Sequence, residues 1–150
     1  VFLGLIHSSR LPNLLHWLSY GKYSFERPPP HASESDISII HSVKKVYAVI
    51  YQASNKMPKR DKLGIHARIE QIALETMNNI IRAALSPKNH KLPFLESARL
   101  SLEVLKHLVR TEYEMNIIAE KVYIRIEYHI IETSKMTNGW IKYITQNPRD

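Results

Sequence analysis

The chain has no cysteine, which excludes disulfides, thiolate metal sites and cysteine nucleophiles. Only four of its 150 residues are glycine, which suits long regular elements better than hairpins and tight turns. No Gly-rich phosphate loop is present. No apolar run approaches the roughly 20 residues that span a bilayer, so no membrane partner is expected. The opening VFLGLI is too short for a signal-peptide core and lacks a basic stretch before it, which makes a cytoplasmic location the default. The parts of an active site are missing as well. There is no His-Glu-x-x-His, no serine elbow, and no second Glu–His pair to set beside Glu103 and His107. The expectation is a protein that is not an enzyme and takes no metal or cofactor. Glu103 and His107 then read as a helix-surface hydrogen bond, and Glu112 and Glu114, next to a helix end, as solvated acids.

What the chain has in quantity is apolar side chains, at 44%, and positive charge. Its 21 Lys and Arg against 14 Asp and Glu give a net charge of +7, which favours a polyanionic partner. Residues 1–34, with Pro12 and Pro28 to Pro30 and no sustained period, read as a poorly ordered extension or linker, the proline run a stiff spacer. From residue 35 onward the pattern is helical. Ser33 and Asp36 form a capping signal, after which Ile37, Ile40, Val43, Tyr47, Ile50 and Tyr51 recur up to Pro58. A second helix is expected from about Asp61 to Ser86, its stripe being Ala73, Leu74, Met77, Ile80, Ile81 and Ala84. The third starts near Pro93 and carries Leu95, Ala98, Leu102, Leu105, Leu108 and Val109. After a junction at Asn116, the fourth runs from about Ile118 to Ile144, with Ala119, Val122, Tyr123, Ile126, Ile130, Thr133, Met136 and Trp140 on one side. The fold class is all-α: one domain over 35–150, an up-down-up-down four-helix bundle.

Two helices carry more apolar surface than one core requires. Ile65, Ile69 and Ile72 on the second, and Ile117, Ile124, Tyr128 and Ile131 on the fourth, lie opposite the main stripes and are expected to form a self-association surface. The basic residues also cluster. Lys56, Lys59, Arg60, Lys62 and Arg68 surround the first junction, in and beside MPKRDKLGIHARIE. Arg99, Lys106 and Arg110 share a strip of the third helix, and Lys121 and Arg125 lie one turn apart on the fourth. Repeated around a symmetric oligomer, these charges would make a ring suited to a polyanion, with phosphate contacts rather than base reading.

Over about residues 40–145 the chain resembles the accessory variability determinant (Avd) proteins of diversity-generating retroelements, a group of four-helix-bundle proteins. The resemblance is carried by Pro58, Lys59, Leu63 and Gly64 in MPKRDKLGIHARIE, and by the leucine ladder of LESARLSLEVLKHLVR. It also rests on Gly139, Trp140 and Lys142 near the end of AEKVYIRIEYHIIETSKMTNGWIKYI. Thr137, Asn138 and Pro93 depart from the family pattern. The resemblance implies a homopentameric barrel that binds the retroelement's reverse transcriptase and its template RNA or cDNA, supporting mutagenic reverse transcription without catalysing it. It makes Lys59, Arg60, Lys62, Arg68, Arg99, Lys106, Arg110 and Arg125 the candidates for nucleic-acid or polymerase contact. Joint charge reversal of Arg99, Lys106 and Arg110 is then expected to abolish binding. The alternatives are the related bundles encoded within ribosomal-RNA intervening sequences and a protein-only oligomeric scaffold. The stretch NIIRAALS lacks the acidic-glycine end that the former carry in their second helix.

Overall fold

The computed structural model describes residues 34–146, with side chains from Ile37 onward. The extension expected over residues 1–34 therefore lies, but for Glu34, outside the described residues. Four long helices make up the rest: α1 (Glu34–Ala53), α2 (Ile65–Leu85), α3 (Lys91–Glu114) and α4 (Glu120–Gln146). A single 3-10 turn, Ser54–Lys56, and a short helical segment, Lys59–Leu63, join α1 to α2. Among the described residues there is no strand. Helix α1 packs on α2 and α4, α2 on α3, and α3 on α4, so the four close a ring of neighbours.

Each helix buries a stripe with steps of three and four residues, as a 3.6-residue turn requires. In α1 the buried residues are Ile39, Val43, Val46, Val49 and Ile50, while Ile37, Ile40 and Tyr47 are half-buried and Tyr51 is exposed. The α3 ladder follows the sequence pattern closely: Leu95, Ala98, Leu102, Leu105 and Val109 are buried. Leu108 is half-buried. In α4 the stripe is Ile126, Ile130, Thr133, Thr137 and Ile144, and Ala119, expected on it, is exposed. The hydroxyls of Thr133 and Thr137 donate to the carbonyls of His129 and Thr133, so neither is left unsatisfied by burial and α4 runs on unbroken past Gly139.

The second helix differs most from expectation. The chain breaks at Gly64, whose φ of −92° and ψ of −116° are not helical, so Lys59–Leu63 stands apart from α2. A Cβ at Gly64 would lie 2.9 Å from the Arg60 carbonyl oxygen, too close for any other residue without a backbone shift. The stripe of α2 is also turned. Ile69 and Ile72, expected on an outer face, are buried in the core with Ala73, Thr76, Ile80, Ala83 and Ala84. Leu74, expected inside, is 43% exposed. Packing against α1 on one flank and α3 on the other buries a wide arc of α2, and that arc includes the isoleucines.

The core has two ends. At one, Val49 and Ile50 pack with Ile69, Ile72, Val109, Ile118 and Ile126. At the other, Ile39 packs with Ile80 and Ala98, flanked by Met136 and Trp140. Helix α3 closes at Asn116, the one non-glycine residue with a positive φ (56°) among the described residues. The amides of Asn116 and Ile117 donate to the carbonyls of Tyr113 and Glu112, which satisfies two terminal acceptors. Helix α2 ends under a lysine instead: buried Lys91 donates from Nζ to the carbonyls of Ala83 (2.7 Å) and Ala84 (3.1 Å) and lies 5.1 Å over the Trp140 ring.

Candidate functional site

The basic turn is built from the break at Gly64. Pro58 supplies the carbonyl that accepts from the Asp61 and Lys62 amides, and Gly64 donates back to Asp61, so seven residues form a self-contained knuckle. On it Lys59, Arg60 and Lys62 are exposed, with Lys56 exposed just before it. None of these four cations makes an ion pair among the described residues. Arg68, one turn into α2, donates to the Gln71 side chain at 3.0 Å and is likewise free of an acid.

The strip on α3 is different. Arg99 is paired to Glu96 at 2.8 Å, Lys106 to Glu103 at 2.7 Å and Arg110 to Glu114 at 2.8 Å. Each is an (i, i+3) or (i, i+4) pair within the helix, worth little in stability but enough to cancel the local charge. The three cations expected to act together are therefore each compensated. Glu103 meets Lys106, not His107, whose exposed ring is left to solvent.

A further cationic face lies where α1 meets α4. Lys121 and Arg125 rim a cleft of about 170 Å³ whose floor is Val49, Ala53, Val122 and Ile126, and Arg125 reaches the Gln52 side chain at 3.4 Å. Burial, together with Lys45 and Arg125 as neighbours, pushes the His129 imidazole below its ordinary value, which registers a positive field on this face. Lys45 and Gln52 were not among the sequence candidates. They sit on the outward flank of α1, where no periodic signal marks a contact with α4.

Of the residues expected to mediate self-association, Ile124, Tyr128 and Ile131 are 56%, 60% and 38% exposed and share one strip of α4. Ile69 and Ile72 belong to the core, and Ile65 and Ile117 pack against it, so these four do not form an outer surface. Leu100 and Val104, one turn apart on α3, are exposed apolar residues that the sequence pattern left unremarked.

The least anticipated feature lies inside. Glu112, expected as a solvated acid, is fully buried, as is His66. The His66 Nδ1 stands 2.9 Å from Glu112 Oε1 and its Nε2 stands 3.0 Å from the Ile50 carbonyl, with Glu70 at 3.6 Å. Burial alone would lower the His66 pKa. The hydrogen bond and charge of Glu112, the Ile50 carbonyl and the charge of Glu70 outweigh it, and the pKa is raised. A signal for both residues exists in the sequence. Glu112 continues the α3 ladder three residues after Val109, and His66 stands three before Ile69 on the buried stripe of α2. Both were polar residues in register with a core. Among the described residues no three His, Asp or Glu side chains gather as a metal site would require, and no helix is long and apolar enough to cross a membrane.

Compared with known proteins, the chain matches no family model and no curated protein.

Proposed function

We propose that this chain is a non-catalytic accessory protein of the diversity-generating-retroelement type, binding a reverse transcriptase and its template RNA or cDNA in the cytoplasm. The observation that carries the proposal is the unpaired charge of the basic turn: Lys59, Arg60 and Lys62 on the knuckle, and Lys56 just before it, are exposed and have no acidic partner among the described residues. A knuckle fixed by Pro58 and Gly64 holds those ammonium and guanidinium groups out to solvent, where they neutralise phosphates and release counterions. The cations along α1 and α4, Lys45, Lys121 and Arg125, extend the same sign of field. The sequence resemblance supplies the particular partner.

The bundle is read as up-down-up-down. Support comes from its ends: the last turns of α1 and α3 share a core with the first turns of α2 and α4. Ile124, Tyr128 and Ile131 are read as part of the contact between copies in a homo-oligomer, a pentamer on the resemblance. The second reading, a protein-only scaffold, is favoured by Leu100 and Val104, which give α3 an apolar exposed strip of its own beside compensated charges.

Co-purification of the full chain with the reverse transcriptase of its own locus, with and without the template RNA, at two salt concentrations, tests the proposal. Salt-sensitive capture is the expected outcome. A folded protein that captures neither polymerase nor RNA overturns the proposal.

A further inference from the structure

The acceptor on one side of His66 fixes what the other side must do. A carbonyl can only accept, so the 3.0 Å contact to Ile50 requires a hydrogen on Nε2. One more proton is then needed in the 2.9 Å gap between Nδ1 and Glu112 Oε1. On Nδ1 it makes an imidazolium beside a carboxylate; on Oε1 it makes a neutral imidazole accepting from a carboxylic acid. Without that proton, a ring lone pair faces an anionic oxygen where neither residue reaches solvent, and Glu112 Oε2 already has no hydrogen-bond partner.

We propose that His66 and Glu112 form a proton-dependent clamp, in which one shared proton ties the start of α2 to the ends of α1 and α3, and whose release loosens the end of the bundle that carries the basic turn. Side-chain hydrogen bonds join the three elements at this ring: His66 is two residues past Gly64, Ile50 is in the last turn of α1, and Glu112 is in the last turn of α3. The charged groups that chiefly act on the imidazole are Glu112 from α3 and Glu70 from its own helix, and α1 contributes the Ile50 carbonyl. The clamp stands whatever the turn binds.

Its pH sense follows from linkage. The folded pKa of His66 lies above its ordinary 6.5, so the folded state holds a proton that the open state gives up. The clamp is complete below about pH 6.5 and is lost as pH rises through the folded value. Over that window the opening equilibrium rises by at most about ten-fold per pH unit, the limit for release of one proton, and it levels off above.

Native-state hydrogen exchange of the full chain, corrected for intrinsic rates and followed from pH 6 to 9, reads this opening at the amides of Ile50 to Arg68. The wild type is expected to lose protection with rising pH. In Glu112→Gln the amide donates to Nδ1 of a neutral ring, no titrating proton is needed, and the pH dependence is expected to vanish. Glu70→Gln is expected to keep it. A wild type without the pH dependence, or an E112Q variant that retains it, overturns the clamp. If E112Q does not fold, nitrogen NMR of the wild-type imidazole decides: a ring that titrates at or below the ordinary value overturns the clamp, and one that keeps its shared proton above that value supports it.

Discussion

Gly64 and Gly139 were both marked by the sequence, and the structure gives them opposite burdens. A Cβ at Gly64 meets the Arg60 carbonyl at 2.9 Å, whereas one at Gly139, exposed in the last third of α4, meets nothing within 4 Å. Gly64→Ala is therefore expected to lower stability by about 1–2 kcal/mol through a forced backbone shift. Gly139→Ala is expected to raise it by about 0.5–1 kcal/mol, the difference in helix propensity and unfolded-chain freedom. Urea unfolding of the two variants checks both signs. The same scale shows where sequence reading stops. His66 and Glu112 were visible as letters on the core register, but a polar residue on a stripe signals burial only when its partner is known. That partner is 46 residues away on another helix.

At the scale of the element, the four helices were legible because periodicity, Pro58 and Asn116 point the same way, whereas the break at Gly64, which parts Lys59–Leu63 from α2, was not. The angular position of α2 was not. Its sequence carries isoleucine and leucine around more than half its circumference, so periodicity alone permits two rotations; contact with both α1 and α3 selects the one that buries Ile69 and Ile72. Ile69→Ala is expected to cost about 2–5 kcal/mol. Leu74→Ala, at a position 43% exposed, is expected to fall within about 0.5 kcal/mol of the parent. Equal costs would place α2 back in the rotation that the apolar pattern first suggests. On α3, the strip of Arg99, Lys106 and Arg110 was legible as basic, yet its acids lie three or four residues away and neutralise it. The spacing that lines up the cations also supplies their partners.

For the whole molecule, an outer surface with two characters remains: a cationic end around Lys59 to Lys62 and an apolar strip along α4. Replacing Ile124, Tyr128 and Ile131 together by Ser, Asn and Ser leaves the core untouched, since all three are exposed. This variant is expected to shift the protein toward the monomer in sedimentation velocity, with unchanged helical circular dichroism. An unchanged mass would assign the strip to a different partner. The charge claim has its own direct test, RNA binding across a range of salt concentrations. The comparison is between Lys59→Glu/Arg60→Glu/Lys62→Glu and Arg99→Glu/Lys106→Glu/Arg110→Glu, each folded and of parental mass. For the parent, log affinity should fall against log salt with a slope of about −0.7 per phosphate contacted on a single strand. The turn variant should lose at least about ten-fold in affinity and flatten that slope, while the α3 variant should lose less, its arginines and lysine being already paired. A salt-independent parent, or a turn variant that binds as the parent does, would contradict the account.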